Sequence, residues 1–177
     1  MSFEIERKFR VRGTQWQERV VRRTHIQQAY LATDGKASVR VRIKDSVNAT
    51  LTIKSLPADL RRLELEYPLS IQDAEALLEL RTGAVLDKVR HIVPVGALEW
   101  EVDVFLGEND GLVIAEIELS DTDQAIDLPD WIGREVTGEA PYYNSRLAQH
   151  PFGTWPDGGE ASAAPKPQAD ASSEGST

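Results

Sequence analysis

The chain has 177 residues, 41% of them hydrophobic and 28% charged, enough for one domain with a real core. With 29 Asp and Glu against 20 Lys and Arg, its formal net charge is −9; this argues against duplex nucleic acid as a partner but leaves room for a small polyanion in a locally basic interior. There is no cysteine, which excludes a disulfide framework, a thiolate zinc site and a cysteine nucleophile.

Residues 3–12 alternate strictly, so they predict a strand with Glu4, Glu6, Lys8 and Arg10 on one face and Phe3, Ile5, Phe9 and Val11 on the other. Residues 14–23 predict a short helix with Thr14 as N-cap. Residues 25–32 predict a second strand, ended by a turn at Asp34-Gly35. Residues 37–44 and 47–54 predict a hairpin around Asp45-Ser46, and residues 60–69 a fifth strand. Ile71, Ala74, Leu77 and Leu78 change to helical spacing over 71–82, with Gly83 as a stop. Three more strands follow at 84–94, 97–106 and 112–120, then a helix over 141–149 with Pro141 near its start. Residues 151–177 are rich in Ala, Ser, Gly, Pro and acidic side chains, with too little apolar content to offset ordering entropy; they predict a disordered tail after a domain at 1–150. No apolar run reaches eighteen residues and the start lacks a signal-peptide pattern, so a cytoplasmic protein away from the membrane is expected.

Eight antiparallel strands with a few helices predict an α+β, mainly β fold, as a sheet or a barrel. The charges fall on one face. Arg40, Arg42, Lys54 and Arg62 share parity with Glu64 and Glu66; Lys88 and Arg90 follow, then Glu101 and Asp103, then Glu116 and Glu118. Alternation alone is equally compatible with a solvated sheet face. Two details favour a functional one. Mid-strand Ser, Asn and Gln are nearly missing from it, and full charges stand in neighbouring pairs segregated by sign.

In this order the residues resemble the CYTH domain, the triphosphate tunnel metalloenzymes, in their compact bacterial form. The signature is Glu-x-Glu-x-Lys, here Glu4-Ile5-Glu6-Arg7-Lys8. It is followed by Arg40-x-Arg42, Thr52-x-Lys54, Glu64-x-Glu66, Lys88-x-Arg90, the run Trp100 to Phe105, Glu116-x-Glu118, and closing elements at Trp131, Glu135 to Thr137, Tyr142 and Asn144. The match spans residues 3 to 147 with no departure at a charged motif position. The resemblance implies an eight-stranded antiparallel barrel with a charged lumen and covering helices, acyclic triphosphate substrates, and dependence on Mg²⁺ or Mn²⁺.

These residue types suit that chemistry. Hard divalent cations take carboxylate oxygens, so Glu4, Glu6, Glu116 and Glu118 are the metal candidates, with Asp103 as a further ligand or a partner that holds a cation. Phosphate oxygens take Arg forks and Lys point charges: Lys8, Arg40, Arg42, Lys54, Lys88, Arg90 and, more weakly, Arg62. Arg7 and Arg10 are expected outside the site. Lys8 and Lys88 are candidates to protonate or neutralise the leaving phosphate oxygen, and Glu64 and Glu66 to position basic residues or a metal-bound water. The expected reaction is hydrolysis of inorganic tripolyphosphate to pyrophosphate and phosphate. The rival readings are a thiamine triphosphatase, an adenylyl cyclase and a non-catalytic polyphosphate- or nucleotide-binding module. The full carboxylate set favours catalysis. His25, His91 and His150 form no metal spacing, and Trp16, Trp100 and Trp131 read as packing residues. There is no P-loop motif, and nothing in the pattern specifies an oligomeric state.

Overall fold

The computed structural model describes residues 5–33, 35–55, 63–121 and 123–156. All the strands among the described residues join one nine-stranded antiparallel sheet. They are β1 (Ile5–Val11), β2 (Arg22–Thr33), β3 (Ala37–Lys44), β4 (Asn48–Ser55), β5 (Glu64–Leu69), β6 (Thr82–Val95), β7 (Leu98–Phe105), β8 (Val113–Leu119) and β9 (Ile132–Glu135), in the spatial order β5-β4-β3-β2-β6-β7-β8-β1-β9. The eight expected strands are all present. The ninth is four residues long and hydrogen-bonds to the outer edge of β1, opposite Phe9 and Val11. Among the described residues no ladder joins β5 to β9. The wall nevertheless wraps round: Lys8 on β1 is near enough to Tyr30 on β2 to act on its phenol, although three strands separate them in the sheet.

The β3–β4 hairpin turns where Asp45-Ser46 predicts, with φ of 51° and 57° at those two residues and the Asp45 carboxylate accepting from the His25 backbone N–H at 2.8 Å. Two positive φ angles match the right-handed twist of the flanking strands. Residues 14–23 are not an α-helix: Gln15–Arg19 form one 3-10 turn, Thr14 makes no side-chain cap bond, and Arg22 already begins β2. Trp16 is the buried anchor of that turn. The helix expected over 71–82 is α1 (Ile71–Glu79), capped by Ser70, whose hydroxyl accepts from Asp73 N–H at 3.1 Å. The last helix is split into a 3-10 turn at Ala140–Tyr142 and α2 (Asn144–Gln149).

Outer and inner faces are distinguished by their packing. Trp100, Phe9, Trp16, Val102, Ile117 and Trp131 form one outer cluster under the 3-10 turn and the chain entering β9, with the Trp100 ring edge-on to Phe9 and Trp131. His91 packs there against Trp16, its Nδ1 3.2 Å from the Val102 carbonyl. Val41, Ile43, Ala29 and Ala49 form the other outer cluster under α1. The third cluster, Leu86, Phe105, Ile114, Tyr142, Leu147 and Phe152, lies at one end of the inner face. Residues 151–156, assigned to the tail by composition, pack here: Phe152 is buried and the Trp155 ring lies 5.3 Å from Tyr142. The rest of the expected tail lies outside the described residues.

Gly83 marks the start of β6, where α2 closes on the sheet. Its φ is +78°, and a Cβ there would meet the Ala148 carbonyl oxygen at 2.4 Å. Gly96 has a similar φ of +61° with open space around it. Gly83→Ala is therefore expected to lose about 3 kcal/mol or more, and Gly96→Ala about 1 kcal/mol, because only the first adds a backbone clash to the strain. Urea unfolding midpoints of the two variants check this; equal losses would refute the clash.

Candidate active site: an ion chain facing two bare guanidinia

Register brings the charged motif residues to one concave face. Lys8 pairs across from Glu116, Glu6 from Glu118, Arg90 from Asp103 and Glu101 from Glu116. In β7 the charges stand at odd positions, because its odd residues oppose the even residues of β6 and β8. The same register carries Arg10, Leu86, Phe105 and Ile114 onto the inner face at its apolar end. Arg10 is buried there, donating to the Tyr142 hydroxyl at 3.2 Å, with its guanidinium over the Tyr142 and Phe152 rings. It shares the inner face with Glu6 and Lys8, as alternation predicts, and lies at the apolar end of that face; Arg7 is outside, paired with Glu135.

The acidic half of the face is a continuous chain of ion pairs. Lys88 has no exposed surface, and its Nζ lies 2.5 Å from Asp103 Oδ2. Arg90 grips both Asp103 oxygens at 2.7 and 2.8 Å, reaches Glu116 at 3.0 Å, and also pairs with Glu101. Glu116 accepts from Lys8 at 2.5 Å, and Lys8 lies 2.5 Å from Glu6. Burial works to raise the Asp103 pKa, but Lys88 and Arg90 outweigh it and hold the carboxyl well below the usual range. Burial likewise works against charged Lys8, and Glu116 and Glu6 overcome it, raising its pKa. For Lys88 burial wins and the pKa is lowered. Glu101 is raised, by burial first and by its carboxylate neighbours Asp103 and Glu116.

The opposite half is different. Arg40 and Arg42 on β3 make no ion pair among the described residues. Arg42 Nε donates to Gln28 Oε1 at 2.9 Å, and Arg40 Nη2 to Thr52 Oγ1 at 3.2 Å. Thr52 in turn donates to Glu66 Oε2 at 3.2 Å. Arg40 Nε is buried and has no hydrogen-bond partner among the described residues. Burial, followed by repulsion from Arg40 and Arg90, pushes Arg42 down to about 10. Tyr30 lies on this face beside Arg40; burial raises its phenol pKa against the pull of the cations. Lys54 is paired with Glu64 at 3.0 Å near the edge strand.

The candidate residues are thus gathered, with two exceptions: Glu4 and Arg62 lie outside the described residues. Glu118 is exposed at the open end, where Glu6, Glu99, Glu101, Glu116 and Glu118 line a cavity of about 490 Å³. This oxygen-only donor set has the chemistry a hard divalent cation takes. Among the described residues no three acidic or imidazole groups converge on one point, because Glu6 and Glu116 are turned onto Lys8. Gln28 is the site residue that sequence reasoning missed; the only signal was a polar side chain at even parity in β2. A larger concavity of about 630 Å³, beside Tyr142 and Trp155, is apolar in character and contains none of the charged motif residues. No helix among the described residues is long and apolar enough to cross a membrane.

A strand-built trough with cations and carboxylates on its inner face defines a class of anion-handling β-proteins. The chain belongs to the CYTH domain family, which it matches over residues 2–147. It is 42% identical over 153 residues to an inorganic triphosphatase of Acetivibrio thermocellus, covering 86% of this chain and 97% of that protein. A second inorganic triphosphatase, from Nitrosomonas europaea, is 33% identical over 150 residues, covering 82% and 96%. The solved structure of the inorganic triphosphatase NE1496 superposes with a TM-score of 0.67 at 30% identity, covering 84% of this chain and 95% of that one.

Asp103→Asn would leave Lys88 and Arg90 buried beside a neutral amide and is expected to cost about 3–5 kcal/mol at pH 7. Because the folded-state pKa of Asp103 is depressed, its contribution is fully present above the unfolded carboxyl value of about 3.9 and is lost as pH falls from there through the depressed value. The stability gap between native protein and variant should therefore narrow in urea titrations at pH 3 relative to pH 7. A gap independent of pH would contradict the assignment.

Proposed function

We propose that the protein hydrolyses a triphosphate, with inorganic tripolyphosphate cleaved to pyrophosphate and phosphate, in the presence of Mg²⁺ or Mn²⁺. The observation that carries this reading is the pair Arg40 and Arg42: two guanidinia on the inner face that, among the described residues, form no ion pair, one with a buried N–H lacking an acceptor there. Half-buried cations without a paired counter-charge are unfavourable unless a ligand supplies one. A polyphosphate does so, and guanidinium forks match its oxygens. The two curated relatives, both named inorganic triphosphatases, support the same substrate class.

In this reading Arg40 and Arg42 bind the phosphate chain, and Arg90 and Lys8 extend the cationic track toward the acidic end. Lys8 has a raised pKa, so it serves as a fixed positive charge beside the departing phosphate oxygen rather than as a ready proton donor. Lys88 is sealed beneath Asp103 and acts by fixing Asp103 and, through it, Arg90. Glu66 acts through Thr52 on Arg40, and Glu64 steadies Lys54. Glu6, Glu116 and Glu118, joined by Glu4 on the strength of the motif, would hold the divalent cation, whose chemistry is to neutralise phosphate oxygens and lower the pKa of a bound water. Glu6 and Glu116, paired with Lys8 in this structure, would serve in that role if Lys8 paired with phosphate instead.

Phosphate release from tripolyphosphate, ATP, thiamine triphosphate and pyrophosphate tests the reading. Tripolyphosphate turnover should require Mg²⁺ or Mn²⁺ and disappear in EDTA. Arg42→Ala should raise KM about tenfold or more, with a smaller change in kcat. Turnover that survives EDTA would remove the metal from the scheme, and failure to hydrolyse any of the four would remove the hydrolase.

A further inference from the structure

The inner face holds its cations in two different ways. Lys8, Lys88, Arg90 and Lys54 are all held by carboxylates, whereas Arg40 and Arg42 are held by neutral groups. The two neutral groups are built into the wall. Gln28 and Thr52 both have 0% exposure, and each is a direct cross-strand partner of the arginine it binds, Gln28 opposite Arg42 and Thr52 opposite Arg40. Gln28 presents its carbonyl oxygen to Arg42, while its own Nε2 is buried without a partner. A position that orients a guanidinium would ordinarily gain more from a carboxylate, which binds Arg about twice as strongly as a neutral acceptor. A glutamate would occupy the same volume, so size does not account for the amide.

We propose that Gln28 and Thr52 are positioning residues that aim Arg42 and Arg40 into the tunnel without neutralising them, and that this neutrality sets the affinity for the polyphosphate chain. The inference rests on the reading of the face as a triphosphate site, but it concerns binding rather than cleavage. A carboxylate at position 28 would keep the hydrogen bond to Arg42 Nε and cancel the charge on which the phosphate depends. The wall would become better satisfied in the absence of ligand and poorer at holding an anion. Thr52 works similarly for Arg40, with Glu66 one hydrogen bond further back and not in an ion pair with it.

Tripolyphosphate binding in EDTA, measured by calorimetry on the full chain, separates this from turnover. Gln28→Glu should weaken binding about tenfold or more while its melting temperature stays at or above the native value. Gln28→Met removes the hydrogen bond without adding charge and should weaken binding only a few-fold. In the metal-loaded assay Gln28→Glu should raise KM far more than it lowers kcat, a split that general loosening of the fold would not produce. Native-like binding by Gln28→Glu overturns the proposal, as does Gln28→Met binding as weakly as Gln28→Glu. If Gln28→Glu does not fold, Thr52→Val makes the test on Arg40: a few-fold weaker Kd with near-native kcat supports it, and an unchanged Kd overturns it. A native protein that binds tripolyphosphate but never cleaves it would defeat the hydrolase reading alone; one that does not bind it defeats both.

Discussion

Asp103 is the residue around which the site is organised. It has 0% exposure and faces Lys88 and Arg90 together. Neither cation could be buried alone, since an ion taken out of water costs several kcal/mol unless it is paired and hydrogen-bonded. With both its oxygens used, Asp103 fixes the β6–β7 register at the point where Arg90 opposes it. Arg90 then has guanidinium N–H groups left for Glu116 on β8, and Glu116 reaches Lys8 on β1. One buried carboxylate thus sets a line of alternating charge across four adjacent strands.

That line accounts for how an acidic protein can present a phosphate site. The net charge of −9 is a property of the whole chain, and it repels polyanions only at distances that salt screens. Inside the trough the relevant quantity is local balance. On the β6–β7–β8–β1 side Lys88, Arg90 and Lys8 each meet at least one carboxylate, so that stretch of the wall is close to neutral. On β3 Arg40 and Arg42 form no ion pair among the described residues, and burial, then repulsion from Arg40 and Arg90, lowers the Arg42 pKa. The potential is therefore polarised across the trough, cationic at β3 and acidic at the end lined by Glu6, Glu101 and Glu118. A chain of phosphates and a divalent cation would divide between those two ends without the protein having to reverse its overall charge.

Much of this was legible in the sequence because a strand writes its two faces into alternate positions. The strand set, the hairpin at Asp45-Ser46, α1 and the gathering of Lys8, Arg40, Arg42, Arg90, Asp103 and Glu116 all follow from period two and one change to helical spacing. Other features depend on long-range contacts that periodicity does not encode. β9 is four residues that become a strand only because the β1 edge is available to them. The segment 14–23 has helical composition, but burying Trp16 and starting β2 at Arg22 leave room for a single 3-10 turn. Alternation puts Arg10 on the inner face, but its neighbours in sequence do not reveal that Tyr142 and Phe152, more than 130 positions on, cap that end of the face and cover it.

Sequence reading treats the cations of the face as one phosphate-binding set. The structure adds a distinction, between cations that are neutralised and cations that are only oriented. It cannot be read from the motifs, because Arg40-x-Arg42 and Lys88-x-Arg90 look alike as dipeptide patterns. What separates them is the identity of the cross-strand partner: Thr52 and Gln28 in one case, Asp103 in the other. Those partners are 12 to 14 positions from their cations, and their pairing exists only once the sheet has set its register. The chemistry of each Arg is therefore decided by the strand next to it, and an uncharged residue such as Gln28 can matter to anion binding as much as the charge it holds.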